Sequence, residues 1–181
     1  MTSKAKVLVI AFIAIASTTA AFAVSSQKTF LHSNAKFSFS YPSAAKIRKA
    51  GENSIVSGTA KDSTTILWKH GELGVRVLNM PLEKAMITTE ALAKDEKGQW
   101  YRAGRFDSRG KPHNLKFGKL SGLYAVSMCG VSDDMGFHAA GGNCLSGFLT
   151  DGKRTAYFET DGLFPVDTVV KVIMPSFKFA P

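Results

Sequence analysis

Cys129 and Cys144 are the only cysteines in the chain, and no other feature constrains its folding as strongly. Each lies inside a segment that reads as a strand, Gly122–Gly130 (GLYAVSMCG) and Asn143–Thr150 (NCLSGFLT). Between them runs Val131–Gly142, rich in Gly, Asp and Ser, which reads as a long hairpin loop. A hairpin of suitable register brings the two sulfurs within bonding range. Whether they join depends on the compartment, and the N-terminus bears on that.

The chain begins with Lys4 and Lys6 and no acid, continues with an apolar run from Val7 to Ala16, and reaches Ala21-Phe22-Ala23 through small and polar residues. A positive start, a short apolar core and a small-x-small site are the parts of a secretory signal peptide. A spanning helix needs about 20 apolar residues, and Ser17, Thr18 and Thr19 interrupt this one early. The expectation is a signal peptide over residues 1–23 and one domain over 24–181, periplasmic or secreted, with no transmembrane segment after cleavage. An even cysteine count in such a chain favours a Cys129–Cys144 disulfide. The competing reading, a thiolate nucleophile served by His138, has no other residue behind it, and a free thiolate oxidises in that compartment.

Charge is unevenly placed. The full chain carries 23 basic and 14 acidic residues, net +9. From Val24 to Lys119 there are 17 basic and 8 acidic residues; from Leu120 to Pro181 there are 4 and 6. The densest stretch is Arg102, Arg105, Arg109, Lys111, Lys116 and Lys119, opposed by Asp107 alone and interleaved with Trp100, Tyr101, Phe106 and Phe117. Read along the chain, these six cations form a candidate contact for an anionic envelope surface or an acidic protein. Nucleic acid is not expected as a partner outside the cytoplasm.

The secondary-structure pattern is mostly strand. Lys36–Tyr41 alternates Phe37, Phe39 and Tyr41 against Ser38 and Ser40, and Pro42 ends it. Lys46–Lys49, Ile55–Ala60, Thr64–Lys69, Leu73–Asn79, Asn114–Lys119 and Arg154–Thr160 are further strand candidates, with a tight turn at Asp151-Gly152. Two helices are expected. One lies within Thr89 to Arg102, capped by Thr88 or Thr89 and either ended or kinked at Gly98; the other runs from Val166 to Met174 and is stopped by Pro175. The fold class is therefore α+β, an antiparallel sheet with two helices packed on it.

Two segments carry a family likeness. Phe37-Ser38-Phe39-Ser40-Tyr41-Pro42 resembles the opening strand of PsbP-like domains, and Val169–Ile173 followed by Ser176-Phe177-Lys178-Phe179 resembles their closing helix and last strand. The resemblance implies a layered sheet with helices on its faces and a non-enzymatic accessory or binding role. It transfers no active-site residue.

Catalytic and cofactor motifs do not hold up. Gly147–Lys153 matches the start of a phosphate-binding loop, but Arg154 stands where Ser or Thr must hold magnesium, and a strand follows where a helix is needed. Ser43-Ala44-Ala45-Lys46 matches the Ser-x-x-Lys of acyl-enzymes without its partner motifs. Asp133, Asp134 and His138 match no metal-site spacing, so neither metal nor cofactor is expected. The Val131–Gly142 segment is the expected recognition loop, with Asp133, Asp134, Met135, Phe137 and His138 as its contact residues. The functional expectation is an exported, non-enzymatic binding or accessory protein of the bacterial envelope, for instance an immunity-type inhibitor of an envelope toxin. The alternative is a hydrolase of an envelope polymer whose acid, base and nucleophile meet only in space.

Overall fold

The two cysteine-bearing segments are the arms of one long hairpin. In the computed structural model, which describes residues 26–49, 55–56, 59, 61–133 and 135–181, the arms are β10 (Leu120–Asp133) and β11 (Gly136–Thr150). The expected signal peptide (1–23) lies outside the described residues, as do most of the expected Ile55–Ala60 strand, Asp134 and the side chain of Asp133. Cys129 pairs across the ladder with Gly142, and Ser127 with Cys144, so the cysteines are diagonal neighbours. Their Cα atoms are 5.8 Å apart and the sulfurs are bonded. The bond closes a separation of 15 residues. In the chain-entropy model a loop of that length contributes about 3 kcal/mol, so the Cys129→Ala/Cys144→Ala variant is expected to lose about that much in urea unfolding.

Val131–Gly142 is not a loop. Val131 pairs with His138, Ser132 with Phe137 and Asp133 with Gly136, and the register slips between Cys129 and Val131. The glycines mark this bulge, because side chains there have no room. A Cβ on Gly142 would sit 2.3 Å from a Val131 methyl, and one on Gly141 2.8 Å from another. Gly136, at φ +113°, closes the turn after Met135.

β10 and β11 are the centre-right of a seven-stranded antiparallel sheet. The others are β3 (Lys46–Lys49), β4 (Ser63–Trp68), β5 (Gly71–Leu78), β9 (His113–Phe117) and β12 (Thr155–Thr160), in the order β3-β4-β5-β12-β11-β10-β9. Strand alternation sorts its side chains to two faces. Leu73, Val75, Val77, Leu145, Leu149, Ala156 and Phe158 enter one core. A three-stranded sheet of β1 (Gln27–His32), β2 (Phe37–Pro42) and β13 (Lys178–Phe179) covers that core through Phe37 and Phe39. The C-terminal helix α2 (166–176) covers the rest through Val169, Ile173 and Met174. Leu78, Leu123, Ala125, Phe148 and Tyr157 face the other way, under α1 (Leu82–Thr89) with its Ala85 and Met86. On this second side lie the short strands β6 (Ala93–Lys94), β7 (Trp100–Ala103) and β8 (Arg109–Gly110). The fold is α+β in layers, as the alternation implied, and strand β1 is an addition to the expected set.

Both expected helices need correction. The first lies at Leu82–Thr89, not Thr89–Arg102. Pro81 opens it, and the threonines read as its start form its end, where the Thr89 hydroxyl donates back to the Ala85 carbonyl at 2.9 Å. Glu90, at φ 54°, turns the chain out. The good helix formers Ala91–Lys94 are overridden by tertiary pairing, Ala93 with Tyr101 and Lys94 with Trp100. The second helix passes Pro175 and ends at Ser176: Val166–Thr168 and Met174–Ser176 are α-helical, and Val169–Ile173 between them is a π turn. Proline has no N–H and its ring strikes the carbonyl four residues back in a regular helix. The widened turn ahead of Pro175 relieves that conflict.

Candidate functional site

The six cations of the basic stretch do not share a surface. Arg102, at the end of β7, points inward beneath the sheet. Its Nε donates to Ser146 Oγ at 2.7 Å and its Nη2 to Glu159 Oε1 at 2.7 Å, and its Nη1 also donates to the Ser127 hydroxyl. Ser146 Oγ donates to Glu159 Oε2 at 2.6 Å, and the Tyr157 hydroxyl donates to the same oxygen. The Arg102 and Glu159 side chains are 12% and 16% exposed. Arg102 is thus held in a largely buried ion pair, which removes it from the expected anionic contact. Burial, reinforced by the neighbouring Glu159 charge, pushes the Tyr157 phenol far above its usual range, so it stays a donor.

Arg105 and Arg109 remain on the surface, Arg105 against Phe137 of the hairpin tip and Arg109 farther back, where it pairs with Ala103. The Arg105 guanidinium lies 5.0 Å from the Phe137 ring centroid and that of Arg109 4.8 Å from Tyr101. The Arg105 backbone N–H donates to the Met128 carbonyl at 2.9 Å, fixing the turn before β8 against β10. Gly130 makes room for this contact: a Cβ there would sit 2.7 Å from the Phe137 ring and 3.1 Å from Arg105 Nε. Lys111 lies exposed between β8 and β9. Lys116 and Lys119 sit at the opposite end of β10, roughly 40 Å along the strand from the tip by the rise per residue.

The turn that carries Arg105 is unusual. The Ser108 N–H donates to the Arg105 carbonyl at 3.1 Å, and both central residues are left-handed, Phe106 at φ 53° and Asp107 at φ 54°. A two-residue turn of this kind ordinarily carries Asn-Gly or Gly-Gly. A bulky side chain at positive φ is a genuine outlier, costing roughly 1–2 kcal/mol. The ring that incurs this cost is not buried: Phe106 is 72% exposed. Met135 is 85% and Phe137 59% exposed at the neighbouring hairpin tip. Arg105 joins the two hairpins through Phe137, and Phe106 and Met135 are exposed in their turns, so the pair of turns presents an aromatic and cationic projection.

Of the expected recognition residues, Met135 and Phe137 are exposed, at the end of a paired hairpin and not on a loop. His138 is half-buried and pairs with Val131. In the sequence Phe106 reads only as one aromatic among the basic residues, because nothing in Arg105-Phe106-Asp107-Ser108 signals a left-handed turn. Glu159, Ser146 and Tyr157 escaped sequence reading because their partner, Arg102, is 57 residues away from Glu159. No three His, Cys, Asp or Glu residues gather as a metal site among the described residues, and no helix there is long and apolar enough to cross a membrane.

No known family profile matches the chain, and no curated protein matches it. Among solved structures it is similar to a protein of Bacteroides thetaiotaomicron VPI-5482, with TM-score 0.48 and 12% identity over 85% of this chain. This chain spans 48% of the length of that one. It is also similar to cyanobacterial PsbP from Synechocystis sp. PCC 6803, with TM-score 0.46 and 9% identity over 88% of this chain and 95% of that one.

Proposed function

We propose that the protein is an exported, non-enzymatic binding protein of the bacterial envelope that holds a protein partner with the projection at its hairpin tip. Inhibition of an envelope toxin in the manner of an immunity protein is the specific form of this reading. One observation carries it: Phe106 is kept in a costly left-handed turn, beside the Arg105–Phe137 pair, yet gains no burial. Strain held without burial is spent on presentation, and exposed aromatic and arginine side chains are the usual anchors of protein interfaces. The leader-like N-terminus and the disulfide support the envelope setting.

For the hydrolase alternative, a cavity of about 280 Å³ lined in part by Arg102, Ser146, Tyr157 and Glu159 gathers a hydroxyl beside a carboxylate. Ser146 is fully buried; its hydroxyl donates to Glu159 and accepts from Arg102. There Ser146 donates to Glu159 while Arg102 holds its lone pair and neutralises that same carboxylate, which weakens Glu159 as a base for a serine nucleophile.

The test uses the disulfide-bonded chain from residue 24. Phe106→Asn relieves the turn, because asparagine tolerates the left-handed region, and is expected to raise folding stability by about 1 kcal/mol. The same variant, and Phe137→Ser, are expected to lose a one-to-one complex with an envelope protein that the parent chain recovers. Retention of that complex by both variants, with loss in Arg109→Glu/Lys111→Glu, moves the site off the projection. Turnover of a cell-wall or lipid substrate by the purified domain overturns the binding reading altogether.

A further inference from the structure

At the far end of the seven-stranded sheet, three chain segments enclose a groove of about 780 Å³. They are the turn from β9 to β10, the Asp151–Arg154 turn from β11 to β12, and the chain from Pro175 through β13. Its floor is apolar. Phe117, Leu120 and Phe179 pack against the main core from its margin, and Phe177 is buried within it, with its ring 5.0 Å from that of Phe179. Its rim is cationic. Lys116, Lys119 and Lys178 are exposed and, among the described residues, face no carboxylate within ion-pair distance.

Arg154 is part of the wall and not of the free charge. It pairs with Asp151 at 2.9 Å, donates to the Ala180 carbonyl at 3.0 Å and covers Phe179 at 4.5 Å. Burial acts to raise the Asp151 carboxyl, but the N–H groups of Arg154 and Lys153 and the guanidinium outweigh it, and the carboxyl is lowered. Asp151 is therefore an anion already neutralised in place. Three uncompensated ammonium groups remain around an apolar floor.

From this geometry we infer that the groove is a second binding site, distinct from the hairpin tip, for a single anionic amphiphile: an alkyl chain ending in a carboxylate or phosphate. The volume falls within the roughly 300–1,000 Å³ of ordinary ligand pockets, which pair an apolar lining with a few fixed polar groups. Lysine suits such a head, as a point charge on a flexible stem that can follow either a carboxylate or a phosphate. An extended acidic peptide fits less well. β13 offers only two residues for pairing, and the groove meets only Lys116 and Phe117 of β9, so few main-chain bonds are available to add a strand.

Calorimetric titration of the disulfide-bonded chain from residue 24 tests this, with decanoate and decyl phosphate below their micellar concentrations. One-to-one saturable binding is expected for one or both, and the stronger of the two assigns the head group. Acetate and 1-decanol are expected to bind at least tenfold more weakly. The triple variant Lys116→Glu/Lys119→Glu/Lys178→Glu is expected to lose at least tenfold in affinity with its thermal unfolding unchanged, since all three side chains are exposed. Amide shifts on decanoate addition are expected at residues 116–120 and 177–180 and not at Met135 or Phe137. Equal affinity for 1-decanol overturns the proposal, as does full binding by the triple variant. So does sedimentation with phosphatidylglycerol vesicles without binding of monomeric amphiphile, or binding of a polyglutamate peptide in place of both probes.

Discussion

Replacing Glu159 with alanine is expected to cost about 3–5 kcal/mol of folding stability. The change strips Arg102 of its Glu159 ion pair and leaves the Tyr157 hydroxyl and Ser146 without their common acceptor. A guanidinium confined beneath the sheet cannot recover its hydration where it stands. Breaking a buried pair from one side therefore costs far more than the pair contributes as a whole. The double variant Arg102→Met/Glu159→Leu checks the cause. It removes both charges and fills the same space, so it is expected to recover most of the loss in urea unfolding. If the double variant is as unstable as Glu159→Ala, the damage comes from lost packing and not from an orphaned charge. Because the network shares no side chain with the tip or the groove, neither binding activity is expected to change in the double variant once it is folded.

Gly122→Ala is expected to be the most damaging single-methyl change, costing about 3 kcal/mol, at the upper end of ordinary overpacking. Gly122 is buried at the start of β10, opposite Leu115 on one side and Leu149 on the other. A Cβ there would lie 1.9 Å from the Phe148 carbonyl oxygen. The obstacle is backbone in the middle of the sheet, so no side-chain rotation can clear it, and the two arms of the hairpin must part. Gly118→Asn is the matched control. Gly118 lies four residues earlier at φ 58°, and a Cβ there would meet no atom within 4 Å. Asparagine tolerates that backbone, so stability is expected to stay within about 0.5 kcal/mol. Similar losses in both variants would show that glycine's flexibility, and not the close approach of Phe148, governs the site.

Several elements were legible in the order of residues alone. The Phe37-Ser38-Phe39-Ser40-Tyr41 alternation specifies a strand with an aromatic face, and Phe37 and Phe39 are buried in the main core. Asp151-Gly152 specifies a tight turn, and Gly152 adopts φ +92° there. The cysteines were legible as a bonded pair because short-range register alone can bring neighbours on a hairpin together. The first helix was misplaced because Thr88 and Thr89 suit a start as well as an end, and the choice rests on Pro81 and on what Ala93 and Lys94 pair with. The recognition loop was misread because a glycine that permits a loop also permits a bulge, and only the packing of Val131 against Gly141 and Gly142 separates the two.

The sequence by itself determined the period of the strands, the turns between them, the pairing of the sulfurs and the excess of positive charge. Those are properties of neighbours, set by local backbone sterics and by which side chains can be buried. The tertiary structure alone decided where that charge acts. Successive strand residues point to opposite faces, so Arg102 goes to Glu159 under the sheet, Arg105 to an exposed ring at the hairpin tip, and Lys116 and Lys119 to a groove at the other end. Which face is covered, and by what, depends on segments far along the chain, and no local pattern carries that information.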